Sequence, residues 1–258
     1  MTAIRLLVLA SAAAVALLAA VPPLAAQSFS GDQRKDIERI VREFLIANPE
    51  VLQEAVAELE KRQASVEADR HKSALATHRE RLFNSPHQVV LGNPQGDVTL
   101  VEFFDYNCGY CKRALGDMVD LLKSDPKLKI VLKEFPVLGP GSIEAAQVAV
   151  AVRMQDKSGK KYLDFHQKLL GTRGQIDKSR ALASAKEAGF DLARIEKDLK
   201  GPEVAAALEE SMKLAEALGI NGTPTYIIGQ AVIPGAVGIA NLRKQIEVAR
   251  AAPATMTR

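Results

Sequence analysis

Two cysteines, Cys108 and Cys111, are the only thiols in the chain, and they stand three residues apart in "EFFDYNCGYCKR". Gly109 and Tyr110 lie between them. Three chemistries fit a Cys-x-x-Cys pair: half a zinc site, a short structural crosslink, or a reversible redox couple. A structural zinc site needs four ligands, normally with a second Cys or His pair at short spacing. The four histidines supply no such pair: His71 and His78 are seven apart, His87 stands alone, and His166 in "YLDFHQKLL" reads as a packed helix residue. A permanent crosslink closing so short a loop constrains little of the unfolded chain. The redox reading has a mechanism. The thiolate is the attacking species, and a free cysteine titrates near ~8.5. A helix over 112–122, with Leu115, Met118, Val119 and Leu122 on one stripe, aims unpaired N–H groups and the positive end of its dipole at Cys108. Active Cys-x-x-Cys thiols reach about 3.5 to 7.5 in this way. Cys108 is then the nucleophile and Cys111, one turn inside the helix, the resolving thiol.

The segment before the cysteines reads as a buried strand, Val98 to Phe104, interrupted by Glu102. A carboxyl in such a strand titrates high and can exchange a proton with Cys111. The alternatives for Glu102 are a place facing solvent and a pairing with Lys133. A second strand is expected over "KIVLKEF", 129–135, then helices through 142–218. Two short strands flank Gly229 in "GTPTYIIGQAVIPG", and a last helix covers 240–251. This order predicts an α/β domain.

The first residues, "MTAIRLLVLASAAAVALLAAVPPLAAQ", have the layout of a cleaved secretory signal ending at Ala26. Export places the thiols in an oxidising compartment. The formal charge is +3, of which Arg5 supplies one; so small a balance gives no argument for nucleic acid as a partner. Nothing in the sequence calls for a metal or cofactor.

Residues 27–83 read as helix without a core of their own. Ser30 and Gln33 make a capping-box signature. Ile37, Ile40, Val41, Phe44 and Leu45 form one apolar stripe, and Leu52, Val56, Leu59 and Val66 continue in a heptad-like seam after Asn48-Pro49. Asn48 is expected to cap the second helix, with Pro49 at its first position. From Val66 to Arg81 the stripe fades into charge, as in a stalk. Such stripes must pack on their own domain, on each other or on another copy of the chain. Narrowness and flanking charge favour self-association. The expected organisation is a signal over 1–26, a helical oligomerisation segment over 27–83, and a catalytic domain over 84–252.

"VEFFDYNCGYCKR" followed by "GTPTYIIG" resembles the DsbA family of periplasmic thiol:disulfide oxidoreductases, over about residues 89–251. The resemblance implies a thioredoxin fold with a helical insertion. It also implies Pro224 as a cis proline facing the cysteines, Glu102 as the buried acid, and Thr223 beside Gly109 and Tyr110 as substrate contacts. The Gly-Tyr dipeptide and the Thr before Pro224 are similar to isomerases of the DsbC type. Together with "NPEVLQEAVAELEKRQ" they are most similar to the suppressor-for-copper-sensitivity C (ScsC) proteins, which implies a homo-oligomer, a trimer before a dimer. The expected activity is isomerisation or reduction of disulfides in exported proteins, with a membrane or periplasmic redox partner. Dithiol oxidation and Cu(I) binding by the same two sulfurs are the competing expectations.

Overall fold

The computed structural model describes residues 29–156 and 158–252; the expected signal, 1–26, lies outside them. The described residues form two compact units that divide between Arg62 and Gln63.

The first unit holds helix α1 (Gly31–Ala47) and the start of α2 (Glu50–Phe83). The capping box forms as expected: the Gln33 N–H donates to Ser30 Oγ at 3.2 Å, and the Ser30 N–H donates to Gln33 Oε1 at 2.9 Å. Asn48 does different work from that expected. Its backbone and side-chain N–H groups both donate to the Phe44 carbonyl at 2.9 Å, so it closes α1. Helix α2 then begins at Glu50, one residue beyond Pro49. No residue of α1 is buried, and Ile40, Val41, Phe44, Leu52, Val56 and Leu59 are all about half exposed.

The second unit is built on a sheet in the order β1-β3-β2-β4-β5. The strands are β1 (Val89–Gly92), β2 (Val98–Phe104), β3 (Leu128–Glu134), β4 (Thr225–Ile228) and β5 (Ala231–Pro234). Strands β2 and β3 run parallel, and the other pairings are antiparallel. Every residue of β2 is buried, as its unbroken apolar run requires of a strand covered on both faces. Helix α3 (Gly109–Ser124) links β2 to β3. Between β3 and β4 lie α4 (Pro140–Arg153), α5 (Lys160–Gly171), α6 (Lys178–Glu187), α7 (Leu192–Asp198) and α8 (Pro202–Ala217). These are the expected helical insertion. Proline occupies the first turn of α4 and of α8, where its missing N–H costs nothing. Helix α9 (Ile239–Ala251) closes the chain's described part.

The pleat sorts the core into two layers. Leu100 and Phe104 face α3, α9 and the insertion. Val101, Phe103, Val131 and Ile227 face the other way, against Leu75, Leu82 and Phe83 of α2 and Leu214 and Leu218. The last turns of α2 are therefore core of the second unit, although the sequence reads there as a charged stalk. Two lysines of β3 fasten that helix end: Lys133 Nζ donates to the Arg81 carbonyl at 2.6 Å and Lys129 Nζ to that of Phe83 at 2.7 Å. Cations belong at a helix C-terminus, where carbonyls are unpaired and the dipole is negative.

Candidate functional site

The turn that carries β2 into α3 is pinned by its own short polar side chains. Asp105 accepts from the backbone N–H groups of Asn107 (2.7 Å), Val137 (2.9 Å) and Leu138 (3.0 Å), and from the Ser142 hydroxyl at 2.7 Å. Asn107 exchanges two bonds with the backbone of Ile176, at 2.7 and 2.9 Å. Sequence reasoning passed over both residues. Their signal was present, since Asp and Asn at a strand end favour this kind of side-chain-to-backbone turn.

That turn delivers Cys108 as the N-cap of α3 in extended conformation, φ −75° and ψ 115°. Its Sγ accepts the Cys111 N–H at 3.5 Å and donates to the Thr223 carbonyl at 3.2 Å. Both thiols are free; Cys108 is 6% exposed and Cys111 1%. Gly109 and Tyr110 are exposed beside the sulfur. A methyl group on Gly109 would meet nothing within 4 Å, so the space beside Gly109, next to Cys108 in the chain, is open. The Arg113 guanidinium lies 4.2 Å over the Tyr110 ring.

Beneath the surface the site turns acidic. Glu102 is buried between Leu132 and Tyr226 on the neighbouring strands. Burial, with the Asp117 carboxylate adding to it, pushes its carboxyl up to about 8. Burial and then the charge of Glu102 push the Cys111 thiol up. Tyr226 is raised by burial and by the same carboxyl. Lys133 does not pair with Glu102: it stands beside Phe103 in register, on the opposite face, and meets Glu210 at 3.2 Å. The peptide bond between Thr223 and Pro224 is cis. The loop is held by the Thr225 hydroxyl on the Gly222 carbonyl (2.8 Å) and by the Gly235 N–H on that of Pro224 (2.8 Å).

A second buried polar cluster lies deeper. Tyr106 Oη is 3.1 Å from Tyr162 Oη and 3.3 Å from His166 Nδ1, and Tyr162 donates to Glu134 at 3.0 Å. Burial lowers His166 to about 3 and raises Glu134, so His166 is a neutral packed residue of α5, as its helical setting suggested. Among the described residues no group of three or more His, Cys, Asp or Glu could hold a metal ion. The two thiols, one capping a helix and one sealed a turn further in, can form and break a disulfide between them.

Comparison with known proteins bears on this geometry. Residues 99–247 match the DSBA-like thioredoxin domain, and residues 33–65 match the Copper resistance protein ScsC N-terminal domain. A thioredoxin-like oxidoreductase from Silicibacter pomeroyi DSS-3 is 44% identical over 68% of this chain and 99% of that one, with a TM-score of 0.64. The catalytic domain of Proteus mirabilis ScsC is 28% identical over 70% and 99%, TM-score 0.64. The thiol-disulfide exchange protein alpha-DsbA2 from Wolbachia pipientis is 31% identical over 70% and 96%, TM-score 0.65. Among curated proteins, the Na(+)/H(+) antiporter NhaA of Herminiimonas arsenicoxydans is 27% identical over 162 residues. The match covers 62% of this chain, which spans about a quarter of that relative's length. No helix among the described residues is long and apolar enough to cross a membrane.

Proposed function

The chain belongs to the DSBA-like thioredoxin-domain family of thiol-disulfide oxidoreductases, and from that premise we propose that it isomerises or reduces disulfides of exported proteins through Cys108 and Cys111. The observation that carries this reading is the placement of Cys108 Sγ, which takes the Cys111 N–H at the start of α3 and touches the Thr223 carbonyl. The sulfur thus stands at the first turn of α3, and a thiolate is the species that attacks a disulfide.

In the first step the Cys108 thiolate attacks one sulfur of a substrate disulfide. A mixed disulfide forms and the other substrate sulfur leaves as thiolate. If that thiolate attacks another substrate disulfide, the thiolate it displaces can attack the substrate sulfur of the mixed disulfide and release Cys108 as thiolate, so pairing changes with no net electron transfer. If Cys111 attacks the Cys108 sulfur instead, the substrate leaves as a dithiol, and two electrons pass to it as the Cys108–Cys111 disulfide forms. Cys111 must lose its proton for that second route, and we assign its removal to the buried Glu102, whose carboxyl burial raises to about 8. Thr223, with Pro224, Gly109 and Tyr110, forms the surface a substrate backbone meets in β-augmentation.

We assign the exposed apolar residues of α1 and early α2 to self-association, a trimer before a dimer, which surrounds one client with several thiols. The signal layout of residues 1–26 supports export to the periplasm. There a membrane or periplasmic partner would keep the pair reduced.

The test is reactivation of wrongly paired ribonuclease by the reduced protein, beside a form beginning at Gln63 that keeps α2's buried end. Strong reactivation that drops in the shortened form supports an isomerase assembled by its N-terminal helices. Fast oxidation of a reduced client without reactivation would make it a dithiol oxidase instead. The match of residues 33–65 to a copper resistance domain favours one second reading, Cu(I) held by the two thiolates. Copper retained by the protein and lost from Cys108→Ser would support it.

A further inference from the structure

On the face of the sheet opposite Glu102, a cleft of about 530 Å³ opens beside the Thr223–Pro224 loop. One wall is Glu67, Arg70 and His71 of α2; Ile220 and Val232 line it with apolar surface, and Gly222 lines it as well. His71 is fitted to the opposite wall: a Cβ on Gly219, whose φ is +66°, would lie 3.7 Å from its Nε2. Gly222 is the residue before Thr223, whose carbonyl is 3.2 Å from the Cys108 sulfur. An extended chain advances about 3.3 Å per residue, so a few residues of a polypeptide joined to Cys108 reach the cleft. Strand β5, which carries Val232, is an outermost strand of the sheet, and an extended segment can pair with such an edge.

We propose that this cleft binds the stretch of substrate polypeptide next to the attacked cysteine, with an apolar side chain seated on Ile220 and Val232. Arg70 and His71 then determine specificity: they grip the segment from the α2 side without touching the reacting sulfurs. The inference rests on the disulfide-exchange reading above and adds to it that α2 is part of the substrate site. It also sets a length requirement. Glutathione disulfide has one residue on each side of its cysteine, about 3.3 Å of chain, and is too short to fill the cleft, whereas a peptide with several residues beside its cysteine fills it.

The experiment compares the full chain with its Arg70→Ala/His71→Ala variant as reductants of two disulfides. One is glutathione disulfide, and the other is a peptide of about eight residues carrying an apolar residue two places from its cysteine. The chain has no tryptophan, so a tryptophan in the peptide reports its state alone. The expected result is a KM for the peptide raised about five- to tenfold, the loss of about 1 to 1.4 kcal/mol of binding over the two side chains. The peptide kcat should stay within about twofold, and glutathione disulfide should be reduced unchanged. An unchanged peptide KM overturns the proposal, and so do equal losses on both substrates. A parent protein that reduces neither disulfide sinks the exchange reading itself, and the cleft's role falls with it. Hydrogen exchange on the peptide mixed disulfide of Cys111→Ser gives a second readout, in which the proposal requires added protection at 67–71 and 219–222.

Discussion

Replacing Glu102 with Gln removes the buried carboxyl whose charge acts on Cys111 and keeps its shape. In the folded protein burial raises that carboxyl from 4.5 to about 8. Below pH 4.5 the group holds its proton in both folded and unfolded chains, and its contribution to stability is complete. Between pH 4.5 and about 8 the unfolded chain releases the proton while the folded one keeps it, so stability falls as pH rises. At pH 7 the loss is two and a half pH units at about 1.36 kcal/mol each, or about 3 kcal/mol. Glutamine carries no such proton. The dithiol form of Glu102→Gln should therefore match the parent near pH 4.5 and exceed it by about 3 kcal/mol at pH 7. Urea unfolding at several pH values measures this, and the variant-minus-parent difference cancels the similar slope from Glu134. Function should move the other way. With Glu102 ionised in only about a tenth of folded molecules at pH 7, losing this base should slow release of a mixed disulfide about tenfold at pH 7 and about a hundredfold above pH 8. A stability difference that is flat from pH 4.5 to 8 would mean that Glu102 ionises in the folded protein as it does in water.

Other expectations follow from the same structure. Cys111→Ser should accumulate a mixed disulfide with a client, visible by mass spectrometry, and Cys108→Ser should form none. His166, lowered by burial from 6.5 to about 3, refuses a proton that the unfolded chain accepts, so stability should fall as pH drops below 6.5. The loss is about 2 kcal/mol by pH 5, and urea titration of His166→Gln should show that acid slope gone. Leu82→Ala, at a fully buried position of α2, should cost about 2 to 5 kcal/mol of stability, read in the urea midpoint.

The reactive pair, the strand before it and the helix after it were legible because each is a local pattern: spacing of three, an unbroken apolar run, a 3.6-residue stripe. The cis bond at Pro224 was legible through family resemblance alone. Strand β1 escaped because "VVLG" is short and sits among turn residues; it exists through its antiparallel pairing with β3. The end of α2 misled for another reason. Leu75, Leu82 and Phe83 are sparse among charges, and only the Val101–Phe103 face of the sheet makes them core. The pairing of Glu102 with Lys133 fails on parity, because 102 and 133 fall on opposite faces once the register is known. The Tyr106–Tyr162–His166–Glu134 cluster joins three elements far apart in sequence, and no short window contains it.

A chain with two thiols has a single internal pairing available. Because Cys111 is sealed and only Cys108 borders an open approach, every foreign sulfur is met at the same atom. A protein of a thiol-disulfide exchange family built this way thus has no wrong isomer of its own to fall into. Its covalent accidents are confined to adducts between molecules, at one position, and any small reductant that reaches Cys108 can undo them.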